Sequence, residues 1–285
     1  MFSFPPMLRV FADLGLQERF ERDGYVTAPL YGRQELRALS ELYSRLHRDP
    51  QQEFFPSTYS GDPGYRGIVD REIRAVTETA TEGLLYSTQL RYASFIAKSP
   101  GPRGVVNVHQ DMTLVDESAF SGINIWCPLE PTTQNNGALQ VIPGSHRWIE
   151  TYRGSTIRGT YDTLRSQIQA RTMPVYLAAG EAIIFDQSII HYSPQNFTAR
   201  TRVVTNVFFT RREARFQTAW FDRASHEGVV ELFEQEPDFI SRFEQFGSDI
   251  NARPRIGRSL GLFPFGFPQI DEGLLDARCG VNIGA

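Results

Sequence analysis

Cysteine is almost missing from this chain. Among 285 residues there are two, Cys127 inside an apolar run and Cys279 near the end. Two such distant thiols make neither a disulfide framework nor a Cys-x-x-Cys metal site, so any metal must be held by other ligands. Long apolar runs are lacking as well. No stretch approaches the length of a membrane span, and the opening MFSFPPMLRVFADLG has neither the basic start nor the apolar run of a secretory signal. These absences predict a cytoplasmic protein with no membrane partner. An excess of basic residues is also absent: the net charge is −4 with both signs scattered, which excludes the basic stripe that nucleic acid needs. A small molecule is therefore the expected partner. Nothing in the pattern fixes an oligomeric state.

What is present is ordinary for a globular protein, at 41% hydrophobic and 22% charged residues, and the 12% aromatic content suits a well-filled core or an aromatic-lined pocket. The length fits a single elaborated domain over 1–285. A helical preface is expected over about 1–50, outside the main sheet. Within it QELRALSELYSRLH places Leu36, Leu39, Leu42, Tyr43 and Leu46 on one helical face, and LQERFERDGYV reads as a helix stopped at Gly24. Residues 51–82 are rich in turn formers at first and read as a mobile loop, with DREIRAVTETATEGLL as a possible helix. From about 90 to 212 the period changes to two. Extended segments are predicted at 91–98, 104–109, 121–129, 138–142, 173–178, 181–186 and 201–210, with gaps too short for crossover helices. The fold class is mainly β with flanking helices, around a double-stranded β-helix (jelly-roll, cupin-like) core. A helical and loop extension is expected over 213–285.

Chemistry enters at VVNVHQDMTLV, where one of only five histidines, His109, stands two residues before Asp111. On a strand, residues i and i+2 share a face, so an imidazole and a carboxylate would stand side by side as a bidentate metal grip. Alone the pair is weak, because a strand-end histidine hydrogen-bonded to a neighbouring carboxylate looks the same. The second stretch is IIFDQSIIHYSPQNFTARTRVV. It offers His191, then Ser193, and then Arg202 eleven residues after the histidine. Strand parity puts Arg202, Val204, Asn206 and Phe208 on one face, so Arg202 can point inward. An inward guanidinium needs an anion, either an internal acid or a ligand carboxylate that its planar fork can grip.

Three stretches carry a resemblance to a known family: VHQD followed by TLVDE, INIWCPLEPTTQNNGALQVIPGSHR, and GEAIIFDQSIIHYSPQNFTARTR. Together with FERDGYVTAPL near the start, they resemble the phytanoyl-CoA dioxygenase family of iron(II)- and 2-oxoglutarate-dependent oxygenases. The resemblance covers most of residues 17–210. It implies Fe(II) held by His109, Asp111 and His191, with 2-oxoglutarate and O2 as cosubstrates. Arg202 would clamp the distal carboxylate of 2-oxoglutarate, helped by the Ser193 hydroxyl, with Trp126 beside it. Met112, Thr113 and Phe208 are expected to neighbour the substrate.

The implied reaction oxidises, and most simply hydroxylates, a C–H bond of a metabolite, as in specialised biosynthesis, while 2-oxoglutarate becomes succinate and carbon dioxide. Related halogenases lack the carboxylate, so Asp111 argues for oxidation. Two other classes fit the residues less well: a non-catalytic jelly-roll binder, and a zinc hydrolase using the same three ligands. Neither has a use for an anion clamp at Arg202. His146 in IPGSHR is read as structural, and His47 and His226 as surface or capping residues. Asn135, Asn136 and Gly137 form a turn without chemistry. Lys98 lies within reach of an anion, and Arg211, Arg212 and Arg215 within reach of an acidic substrate, although solvated charges are the commoner case. Tyr65 and Arg66 fall in a Gly-rich stretch that suits a lid.

Overall fold

The computed structural model describes residues 8–47, 54–224, 228–242, 252–268 and 270–280. The chain opens with α1 (Leu14–Asp23), whose N-cap Asp13 side chain accepts from the Leu16 N–H and whose C-cap Gly24 adopts φ +77°. Strand β1 (Tyr25–Pro29) follows, then α2 (Arg33–Leu46). The apolar face read from the sequence is the buried one, with Leu39 and Leu42 packed into the main core. Each such side chain contributes about 1.5–3 kcal/mol by leaving water.

After β2 (Phe54–Pro56) comes α3 (Pro63–Ala80), which replaces most of the loop expected over 51–82. Local chemistry explains the early start. Asp62 caps the N–H groups of Gly64 and Tyr65, and Pro63 occupies the first turn, where its missing N–H costs nothing. Tyr65 and Arg66 therefore lie on a helix rather than in a lid loop, Tyr65 against His47 and Arg66 buried.

The remaining strands are β3 (Thr88–Lys98), β4 (Val106–His109), β5 (Ile123–Pro128), β6 (Gln140–Val141), β7 (Met173–Pro174), β8 (Glu181–Asp186), β9 (His191–Ser193) and β10 (Arg202–Arg211), with a short α4 (Arg165–Gln169) before β7. They form two antiparallel sheets. One has six strands in the order β1-β8-β5-β10-β3-β2, and the other has four in the order β4-β9-β6-β7. This is the expected jelly roll, open rather than a closed barrel. The preface is not wholly outside it, because β1 pairs with β8 at the edge of the larger sheet. No helix among the described residues is long and apolar enough to cross a membrane.

The C-terminal part departs from the expected helices. Strands β11 (Gln217–Trp220), β12 (Val229–Glu234) and β13 (Arg258–Pro264) make a third sheet, while α5 (Phe239–Arg242) packs near α3 and α6 (Glu272–Gly280) buries Leu275 in the cluster around Val108 and Ile190. Charge made this segment look helical. In the structure Glu231 and Glu234 are strand residues tied to Arg253 and Arg258, while Val230, Leu232 and Phe233 are buried. His226 lies outside the described residues.

Candidate metal centre

Cross-strand pairing brings the two histidines together. His109 ends β4, His191 begins β9, and the two are directly opposite in register. Their ring centroids are 4.1 Å apart. Asp111 is not on the strand, as the i, i+2 argument assumed; β4 stops at His109, and the Asp111 N–H donates to the Gln187 carbonyl at 2.9 Å. Its side chain still turns to the histidines, with Oδ1 at 3.5 Å from His109 Nε2 and 3.8 Å from His191 Nε2. One ligand atom from each residue lies within 4.8 Å of the others.

The other side of each group is engaged. His109 Nδ1 faces the Asn107 carbonyl at 2.8 Å and His191 Nδ1 the Ile189 carbonyl at 3.0 Å, which puts the proton on Nδ1 and leaves both Nε2 lone pairs aimed inward. Asp111 Oδ2 accepts from Asn124 Nδ2 at 2.8 Å. Burial, then the charge of His109, lowers the His191 pKa to about 4. Burial works against the Asp111 carboxylate, but His191, His109 and Arg153 outweigh it and hold its pKa below the usual carboxylate range. Neutral imidazole and ionised carboxylate are the forms that bind a metal.

The segment carrying Asp111 is braced from behind by Arg153. Its Nε donates to the Asp111 carbonyl at 2.6 Å, its other two nitrogens meet both oxygens of Glu117, and Gln187 donates to the same carboxylate at 2.7 Å. Thr113 belongs to this brace. Its hydroxyl accepts the Arg153 N–H at 3.0 Å, and its buried side chain does not line the cavity over the triad. Phe208 does not line it either: it is fully buried, stacked on Tyr92 at 5.4 Å and packed near Phe216. Met112 does line the cavity.

That cavity measures about 370 Å³ and runs from the triad to Arg202. Arg202 opens β10, is 2% exposed, and lies 4.9 Å over the Trp126 ring. One of its terminal nitrogens donates to the Gly137 carbonyl, and its buried Nε has no partner. Directly across the sheet stands Lys98, fully buried. Its ammonium donates to Ser193 Oγ at 2.7 Å and to the Ser193 and Pro194 carbonyls at 2.9 and 2.6 Å. Burial and then the Arg202 charge lower the Lys98 pKa to about 6, and burial lowers that of Arg202 to about 9. Among the described residues neither cation has an acidic partner.

Ser193 joins the two halves of this pocket, since its hydroxyl accepts from Lys98 and donates to the Gly137 carbonyl at 2.8 Å. The turn at 135–137, assigned no chemistry from the sequence, thus supplies the acceptor for both Arg202 and Ser193. Gly137 is required there: its φ is +75°, and a Cβ would lie 2.6 Å from the Pro194 carbonyl.

The profile of the phytanoyl-CoA dioxygenase family matches residues 20–204. The chain belongs to the phytanoyl-CoA dioxygenase family. The fold, the enzyme class and the cofactor pair read from the sequence, a jelly-roll dioxygenase with iron and 2-oxoglutarate, are those of this family. An uncharacterised protein of Mycobacterium tuberculosis is 29% identical over 205 residues, covering 70% of this chain and 66% of its own length, so the chain matches just under two thirds of that relative. The phytanoyl-CoA dioxygenase of Arabidopsis thaliana is 33% identical over 113 residues, or 38% of this chain and 39% of that one. Among solved structures, the α-ketoglutarate-dependent carbocyclase SnoK from nogalamycin biosynthesis superposes with a TM-score of 0.53 at 15% identity, over 73% of this chain and 89% of its own. The epimerase SnoN, in complex with Fe3+, α-ketoglutarate and nogalamycin RO, gives 0.52 at 19% identity, over 71% and 85%. These two likenesses show the fold.

Asn124, Arg153 and Glu117 carry no mark in the sequence that points to these roles. Lys98, within reach of an anion in the sequence, is buried beside Arg202 rather than solvated. The detectable signal was parity, since Lys98 falls on the same strand face as Ile96 and Ser94.

Proposed function

We propose that this protein is an iron(II)- and 2-oxoglutarate-dependent dioxygenase that oxidises, most simply hydroxylates, a C–H bond of a small-molecule metabolite in specialised biosynthesis. The observation that carries the reading is Arg202: buried, without an acid, and with an unpartnered N–H beside three converging metal ligands. A buried cation of this kind is stable only with an anion to meet it. The pocket suits a dicarboxylate whose far end is gripped by Arg202 and whose near end reaches the metal.

His109, Asp111 and His191 would hold the metal through Nε2, Oδ1 and Nε2. Mixed nitrogen and oxygen ligands on one face suit ferrous iron and leave positions open to cosubstrate and oxygen. When bound, iron would supply the site at which O2 oxidises both 2-oxoglutarate, to succinate and carbon dioxide, and the substrate, one oxygen atom going to each. The chain's own residues position these groups. Asn124 holds the second Asp111 oxygen, so the carboxylate is presented through Oδ1 alone. The Trp126 ring lies under the Arg202 guanidinium at 4.9 Å and favours its position by a cation–π contact. Tyr59, Tyr92, Met112 and Ile240 line the same cavity and give a substrate a mainly apolar wall.

The test is direct. Purified protein with ferrous iron, ascorbate and 2-oxoglutarate is expected to form succinate slowly without its true substrate, and His109→Ala to abolish it. Metal-independent ligand binding with no succinate would indicate a binder, and zinc-dependent ester or amide cleavage a hydrolase.

A further inference from the structure

Arg202 is not the only buried arginine without an acid. Arg91 is 7% exposed and makes no ion pair among the described residues. Its position arises from a β-bulge. Tyr92 pairs with Phe208 and Leu90 with Phe209, so Arg91 is the extra residue on β3. Such an insertion re-aims the side chains around it. The Arg91 Nε donates to Thr210 Oγ1 at 2.7 Å and one terminal nitrogen to the Ala214 carbonyl at 2.7 Å, while the other terminal nitrogen has no hydrogen-bond partner among the described residues. Desolvation lowers its pKa.

Arg91 lines a second cavity, of about 240 Å³, that adjoins the metal cavity at Thr58, Tyr92 and Ile240. The two spaces differ in charge. Apart from the triad and Arg202, the walls of the larger one are neutral and largely apolar. The smaller one presents Arg66, Arg74 and Arg91 with Asp70 and Asp238, one positive charge in excess. Asp70 is already satisfied, by Arg74 at 3.1 Å and by the Ala93 N–H at 2.7 Å.

We infer that the smaller cavity receives an anionic group of the substrate, a carboxylate or a phosphate ester, bound by the free edge of Arg91 while a neutral, mainly apolar body fills the space before the metal. The inference deepens the dioxygenase reading and rests on it. The sheet sets the scale: Asn124, Phe208 and Tyr92 form one rung across β5, β10 and β3. Tyr92 is thus two strand spacings, about 10 Å, from the residue that holds Asp111. The anion would be separated from the oxidised carbon by a chain of roughly that length.

Hexanoate and hexyl phosphate are suitable probes, titrated calorimetrically into the full chain loaded anaerobically with ferrous iron and saturating 2-oxoglutarate. Saturable binding of one of them is expected, and which one binds distinguishes carboxylate from phosphate. Arg91→Gln should weaken it by about tenfold or more, as removal of a charged hydrogen bond does. Because Arg91 also bridges Thr210 and Ala214, a second variant guards against simple misfolding: Asp238→Asn removes the opposing charge and should tighten binding by about threefold. Arg202→Gln should lose 2-oxoglutarate while keeping the probe. No saturable binding of either probe, or equal affinity in the wild type, Arg91→Gln and Asp238→Asn, would overturn the inference. Failure to bind 2-oxoglutarate in the wild type would instead sink the dioxygenase reading.

Discussion

Asp111 has two oxygens, and only one faces the histidines. Asn124 Nδ2 donates to the other at 2.8 Å, and the Asn124 side-chain oxygen Oδ1 in turn accepts from Asn206 Nδ2 at 3.5 Å. A carboxylate free at both oxygens can rotate or bind a metal through both, which would close a position needed by the cosubstrate. Asn124→Ala should therefore reduce metal affinity by about 10- to 100-fold, the usual effect of losing a partner behind a ligand. Titration with ferrous iron, alongside circular dichroism to confirm folding, checks this. An unchanged affinity would show that the carboxylate is oriented by other contacts. Nothing in INIWCPLE marked Asn124 for this role, because its partner is 13 positions away and the pairing exists only once β5 lies beside the β4 loop.

At the scale of elements, the segment after β4 has no ladder of its own to hold it. Its order comes from the buried pair of Arg153 and Glu117, whose side chains are 8% and 17% exposed, with Gln187 donating to the same carboxylate. Removing one partner of such a pair leaves a charge with nothing to meet it. Glu117→Gln is expected to destabilise the protein by about 3 kcal/mol in urea unfolding and to loosen metal binding at the same time. A loss of less than about 0.5 kcal/mol, within the range of ordinary surface substitutions, would contradict the brace. What could be read at this scale from sequence follows the same logic. Short apolar runs such as β5, β8 and β10 announce themselves because nearly every residue of each is buried, and the α2 stripe does so at period 3.6. The three C-terminal strands did not, since exposed β13 and the Glu-bearing face of β12 dilute the alternation with charges that are paired only across the sheet. Likewise β9 is only three residues long, too short for any period to show.

For the whole molecule, the division of labour between sheets matters most. The four-stranded sheet contributes both imidazoles through the His109–His191 pair, and the six-stranded sheet contributes Arg202, Lys98, Trp126 and Asn124. Neither sheet alone contains a site. His109, Asp111, His191 and Arg202 were legible because the chemistry leaves residue types at characteristic spacings. Thr113 and Phe208 do not line the cavity, because a neighbour in sequence need not face the same space: Thr113 turns to Arg153, and Phe208 stacks on Tyr92. The measurement that bears most directly on the account is an anaerobic crystal structure with ferrous iron and 2-oxoglutarate, with iron located by its anomalous scattering. The account predicts a single iron between Nε2 of His109, Oδ1 of Asp111 and Nε2 of His191, with the distal carboxylate of 2-oxoglutarate against the Arg202 guanidinium. Iron bound elsewhere, or a cosubstrate whose distal carboxylate turns away from Arg202, would contradict it.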